Sequence, residues 1–276
     1  TDCLGVPGGT ALPGTPCDDG NSNTINDTWT ADCQCIGSGC IVPTISSTSS
    51  NTPVCSNTNL TLGVSASGTG PLMYTWTGSG TFSPNATSAD VTVSGAASGS
   101  YQVVVSNTCG STNASISVVV TSAPSATIAY SGSPYCSSTG TVQVTRTGTS
   151  GGTFSAIPAG LALNTGNGNI NAGSSTAGPY TVTYTIAASG GCAVFSTSTT
   201  VAITPAPNAA ISYAGSPYCS TSGTAQVTRT GTSGGTYSAN PAGLALNTGN
   251  GTINPGNSTA GSYTVTYTVP ASGGCA

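Results

Sequence analysis

Residues 121–193 realign on residues 204–276 at a constant offset of 83 with no gap, and 57 of the 73 positions are identical. The segment PYCSSTG from Pro134 returns as PYCSTSG from Pro217, PAGLALNTGNG from Pro158 returns from Pro241, and YTVTYT from Tyr180 returns from Tyr263. Similarity of this kind marks tandem duplication of one structural unit of about 80 residues. The unit is built from strands. Thr181 to Ile186 alternates β-branched and aromatic residues with period two, between clusters of Gly, Pro, Asn and Ser. No segment carries an apolar period of 3.6. The 39 Gly and 17 Pro suit many short strands joined by turns.

Three β-sandwiches of this type are expected, over residues 41–121, 122–204 and 205–276, after a Cys-rich module over residues 1–40. In the first, Trp76 lies on an early strand and Tyr101 leads a late one, so Trp76 is expected in the core. In the second, residues 193–204 alternate and should form its closing strand. The third copy reaches Gly273-Gly-Cys-Ala276 without that strand. A sandwich open in this way exposes core and unpaired backbone. The expectation is that the continuing polypeptide or a neighbouring copy supplies the strand.

Eleven cysteines and no His in 276 residues point to disulfides in an oxidising compartment and away from a zinc site. Each sandwich holds one early and one late Cys, at separations of 54, 56 and 56. The pairs expected are Cys55 with Cys109, Cys136 with Cys192, and Cys219 with Cys275, one bridge per sandwich. Cys3, Cys17, Cys33 and Cys35 should pair among themselves, in any of three connectivities. Cys40 is then left unpaired or bonded to another subunit.

Residues 1–40 hold five of the six acidic side chains. Asp19, Asn21, Asn23, the Ile25 carbonyl and Asp27 fall on alternate positions, a spacing that suits a structural Ca²⁺. Thr30 stands where a bidentate Glu would be expected, and Thr24 where a Gly would be. The competing reading is a turn in which Asp and Asn side chains bond their own backbone.

The motifs GTSGGT, PAGL, LNTGNG, YTVTYT and SGGC, together with the run TPCDDGNSNTINDTWTADCQC, resemble the large secreted surface proteins and adhesins of Bacteroidota. In these a short Cys-rich module accompanies immunoglobulin-like repeats of the PKD-like or putative-Ig kind. The resemblance implies an extracellular, cell-surface location and tandem immunoglobulin-like sandwiches. Cadherin-type calcium bridging finds no support, because residues 122–276 contain no Asp or Glu.

Charge narrows the function further. Two Arg, six Asp, and no Lys, Glu or His leave nothing to neutralise a run of phosphates, so nucleic acid is not a partner. No apolar run is long enough to insert in a membrane. The inventory lacks the bases and activated nucleophiles of an enzyme, and no cofactor is required beyond the candidate Ca²⁺. An almost uncharged Ser/Thr surface needs cover from glycans or from other copies. The sequence reading is therefore a structural subunit or segment of a surface fibre, filament or adhesin stalk. Its partners would be other copies of itself or further repeats. The alternative is a module that binds carbohydrate or protein through loops at the sandwich ends, with Tyr135, Tyr218 and Trp29 as candidate aromatics. Arg146 and Arg229, repeat equivalents on a strand, are expected to satisfy carbonyls or pack flat on a sheet.

Overall fold

The computed structural model describes residues 1–275 and is all-β, with two short 3-10 turns. Residue contacts divide the chain into two compact units, residues 1–124 with 187–194, and residues 125–186 with 195–276.

The first unit begins with a hairpin of β1 (Thr24–Trp29) and β2 (Cys35–Gly39), tied by bridges Cys3–Cys33 and Cys17–Cys35. A sandwich follows, built from β3 (Thr44–Ser50), β4 (Val54–Cys55), β5 (Leu60–Ser67), β6 (Met73–Thr77), β7 (Thr81–Ser83), β8 (Asp90–Ser94), β9 (Gly99–Asn107), β10 (Gly110–Val118) and β11 (Val120–Thr121). One sheet has the order β3-β5-β8-β7 and the other β10-β9-β6, while β4 runs parallel to β11. Four strands facing three, in this order, is the constant-type immunoglobulin arrangement.

The core of this sandwich follows from strand alternation. Leu60, Leu62 and Val64 on β5, Val91 and Val93 on β8, and Tyr101, Val103 and Val105 on β9 all face inward and are buried. Trp76 is 3 % exposed, and its indole N–H donates to the Ser88 carbonyl at 3.0 Å. The Tyr101 hydroxyl donates to the Ser79 and Ala97 carbonyls, the corner that pins the start of this strand in immunoglobulin-type sandwiches. Asn107, the buried polar residue of this sandwich, satisfies all its groups. Its amide donates to the Ile41 and Thr69 carbonyls, and its side-chain oxygen accepts from the N–H groups of Cys109 and Gly110.

The second unit holds both repeat copies. The first copy comprises β12 (Ala126–Ala129), β13 (Tyr135–Cys136), β14 (Thr141–Val142), β15 (Thr145–Gly148), β16 (Thr153–Ile157), β17 (Ile170–Asn171), β18 (Gly178–Ile186) and β19 (Phe195–Thr204). One sheet runs β13-β19-β18-β16, with β13 parallel to β19, and the facing layer is made by the pairs β12-β15 and β14-β17. From β18 come the buried Tyr180, Val182, Tyr184 and Ile186, and from β19 the buried Val201 and Ile203. Tyr180 repeats the corner, donating to the Thr176 carbonyl at 2.6 Å. Burial pushes the Tyr130 hydroxyl up to about 12, with Tyr135 adding to the effect. Tyr130 accordingly stays a neutral donor to the Gly168 carbonyl.

The second copy comprises β20 (Ala209–Tyr213), β21 (Val227–Gly231), β22 (Thr236–Asn240) and β23 (Thr264–Thr268). It repeats the pairing of the first, β20 with β21 and β22 with β23, and the Tyr263 corner on the Thr259 carbonyl. Arg146 and Arg229 behave alike in the two copies. Each donates to two carbonyls, at Gly148 and Thr149 or at Gly231 and Thr232. Each also stacks 5.6 Å from a ring centroid, that of Tyr184 or Tyr267.

Candidate functional site

The cysteines do not pair within sandwiches. The bridges are Cys40–Cys109, Cys55–Cys192 and Cys136–Cys275, and Cys219 is free and exposed. The expected pairs Cys55–Cys109, Cys136–Cys192 and Cys219–Cys275 are thus corrected. So is the expectation for Cys40, which is bonded within the chain. Strand direction is the physical reason. Cys55 lies beside Thr121, at the far end of the closing strand, whereas Cys109 immediately precedes that strand at Gly110. Eleven residues of strand separate the two ends by roughly 36 Å, and a disulfide needs its Cα atoms within about 7 Å. Cys136 and Cys192 are held apart in the same way by the length of β19.

Each late Cys instead reaches back to the element that precedes its own sandwich. The loop 187–194, expected within the second sandwich, belongs to the first unit, where Cys192 is bonded to Cys55 with Cα atoms 4.6 Å apart. In the second unit the equivalent loop places Cys275 on Cys136 at 4.7 Å. Each loop closes on itself through a reciprocal pair of backbone bonds, Ser189 with Cys192 and Ser272 with Cys275. The paired glycines of the SGGC motif now have a reason. Gly191 and Gly274 sit at φ +79° and +77°, and a Cβ on either would run into the carbonyl of Pro53 or Pro134. Only glycine combines that backbone with so close an approach.

The second feature is the open side of the last sandwich. In the first copy β19 covers β18 along one edge and β13 along the other. Among the described residues no strand occupies the equivalent place beside β23. The consequence shows in burial. Inward residues of β18 are buried on alternate positions, whereas the corresponding Val265 and Tyr267 of β23 are only half-buried. Tyr135 and Cys136 are buried, while Tyr218 is half-buried and Cys219 exposed. A groove of about 430 Å³ results, lined by Tyr213, Tyr218, Leu244, Ile253, Tyr263 and Val265 among others.

The acidic turn of the N-terminal module brings together Asp18, Asp19 and Asp27, with carboxylate oxygens within 4.8 Å of one another. Of the five positions read as ligands, Asp19 and Asp27 are in this cluster, and Asp18 joins them from outside the predicted set. The other three lie in the turn's own bonding. The Asn21 side chain accepts from the Asn23 N–H, the Asn23 carbonyl accepts from the Cys40 N–H, and the Ile25 carbonyl accepts from the Ser38 hydroxyl. The Asn21 N–H and the Thr24 hydroxyl, both donating to Asp19, hold its carboxyl below the usual range. Asp27 accepts from the Asp19 N–H through one oxygen, and its other oxygen is buried without a partner. Among the aromatics, Tyr135 is buried, with its hydroxyl on the Ser131 carbonyl, and Trp29 is half-buried.

No family model matches the chain, and no curated protein matches it. Among solved structures it is similar to the I-band fragment I67–I69 of titin, at 12 % identity and a TM-score of 0.42, covering 77 % of this chain and 86 % of that one. It is also similar to immunoglobulin domains 1–5 of Sidekick-1, at 12 % identity and a TM-score of 0.41, over 78 % of this chain and 53 % of that one. The N-terminal eight immunoglobulin domains of DSCAM match at 14 % identity and a TM-score of 0.39, over 60 % of this chain and 25 % of that one. The chain spans about a quarter of that DSCAM fragment and about half of the Sidekick-1 fragment. The fold assignment rests on the strand order, the parallel β4–β11 and β13–β19 contacts and the tyrosine corners: the chain consists of tandem immunoglobulin-like β-sandwiches cross-linked by disulfides.

Proposed function

We propose that this chain is a load-bearing segment of an extracellular fibre or stalk on a cell surface, and that its mechanism is mechanical. The observation that carries this reading is the offset of the bridges. Cys40–Cys109, Cys55–Cys192 and Cys136–Cys275 each fasten a loop of one sandwich to the element before it. A bridge inside a sandwich stabilises that sandwich alone, while a bridge across a junction keeps a series of sandwiches joined when one of them opens. Five disulfides in one chain fit an oxidising environment outside the cell. Near-identical repeats suit selection for length, and an almost uncharged Ser/Thr surface suits close lateral packing or a glycan coat. The Bacteroidota surface-protein resemblance points the same way.

Electron microscopy of the native secreted material tests the proposal. Thin threads with a repeat of roughly 35–40 Å per sandwich, at about 3.3 Å per strand residue plus turns, are expected. Compact single particles that bind a glycan or protein at their loops would replace this reading with the loop-borne adhesin one.

A further inference from the structure

We infer that Cys219 and the groove beside it form a receptor for one more repeat of this same kind, placed in sequence after Cys275. An alternating strand fills the groove, and the Ser-Gly-Gly-Cys loop of the sandwich behind that strand bonds Cys219. This deepens the stalk reading and rests on it.

The receptor occurs in occupied form twice in the same molecule. Cys55 and Cys136, the counterparts of Cys219, are each buried and each bonded to a late-loop Cys. Both stand beside a closing strand that runs parallel to them, Val120–Thr121 beside Val54–Cys55 and Ile203–Thr204 beside Tyr135–Cys136. In both cases the closing strand follows the preceding strand of the same polypeptide, after a turn of two residues or a loop of eight. The third instance has every fixed part and lacks only the occupant. Tyr218 and Cys219 carry the same sequence as Tyr135 and Cys136, and β23 offers an unpaired edge. The groove leaves Tyr213, Tyr263 and Val265 half-buried, whereas their counterparts Tyr130, Tyr180 and Val182 are buried at 7 %, 4 % and 0 % exposure.

The groove dictates its ligand. A strand paired antiparallel to β23 must present apolar residues on alternate positions near its end, as Val201 and Ile203 do, and carry no charge toward the tyrosines. Such strand addition gains affinity from main-chain bonds and specificity from alternate side chains. The covalent step balances through thiol–disulfide exchange with a small disulfide such as oxidised glutathione. The Cys219 thiolate attacks it and releases one glutathione thiolate. The incoming loop thiolate then attacks the mixed disulfide and releases the second. Two protein thiols are oxidised, one glutathione disulfide is reduced to two glutathiones, and two protons leave the protein.

The test extends the full chain by a second copy of residues 194–276, joined directly after Ala276 and folded in a glutathione redox buffer. Peptide mapping without reduction should join Cys219 to the added counterpart of Cys275. The single alkylatable thiol should move to the added counterpart of Cys219, and amide exchange across Thr264–Thr268 should slow at least tenfold. Cys219 found bonded to Cys275, or left alkylatable, overturns the inference. The unextended chain with a synthetic peptide of residues 195–204 gives a second reading that does not depend on folding of the added copy. Slowed exchange in β23, retained in Cys219→Ser, is expected, and unchanged exchange overturns the receptor. A filled groove with a free Cys219 thiol would overturn the covalent lock while leaving the stalk reading intact. Loss of the stalk reading would show separately, in the microscopy.

Discussion

Pulled from its two ends with all bridges intact, the chain is expected to stop extending at about 150 Å, and after reduction at about 960 Å, taking ~3.5 Å per residue of covalent path. The difference comes from the route that force must follow. From Thr1 the path enters at Cys3, crosses to Cys33, runs to Cys40, crosses to Cys109, follows the chain to Cys136 and crosses to Cys275. Most of the sequence, including β14 to β23, hangs outside this route and stays unloaded. Removing one rung lengthens it in a computable way. In Cys136→Ser the path must use Cys55–Cys192 and then the whole segment from Cys192 to the end, so the limit rises to roughly 390 Å by the same conversion. Force spectroscopy reads these contour lengths directly. With one bridge inside each sandwich, the same reduction would free three separate loops, and no single substitution would release more than one of them.

Trp76→Ala is expected to destabilise the first sandwich by about 3–5 kcal/mol, the range for deleting a large buried aromatic. Single domains are stable by only about 5–15 kcal/mol, so this one change removes a large part of the margin. The indole fills the space between the two sheets and supplies the partner of the Ser88 carbonyl, so the variant loses volume and a hydrogen bond together. Trp76→Phe keeps part of the volume and should cost less. Denaturant unfolding followed by tyrosine fluorescence measures both. The bridges at Cys40, Cys55 and Cys109 keep the damaged sandwich tied to its neighbours, so the transition should be local, with the tyrosine packing of the second unit retaining its own midpoint.

The repeat and its alternation were enough to read the strands. Residues 195–204 form the closing strand that their pattern announces, and Trp76 is a core residue. Tyr101, Tyr180 and Tyr263 were visible only as strand leaders. Their shared role as corner hydroxyls depends on a carbonyl four residues earlier, which becomes an acceptor once the chain has turned. The disulfide pattern was not legible from spacing. Separations of 54 to 56 within a sandwich, and of 137 and 139 across a junction, come from the same periodic set of cysteines. Only the direction of the closing strand, which carries the early and late cysteines to opposite ends, decides between them. The glycine pair in SGGC was the available hint, since a loop packed on its own sandwich has no need for two residues of positive φ against a foreign backbone. In the acidic turn, alternate spacing suggested a ligand series. The hairpin brings Asp27 back beside Asp18 and Asp19, and the Ile25 carbonyl accepts from the Ser38 hydroxyl.

Peptide mapping of the unreduced protein, with its one free thiol blocked before digestion, addresses the offset bridges most directly. The offset pattern predicts linked peptides containing Cys55 with Cys192 and Cys136 with Cys275, and the blocking group on Cys219. Peptides linking Cys55 with Cys109, Cys136 with Cys192 and Cys219 with Cys275, with the label on Cys40, would contradict it.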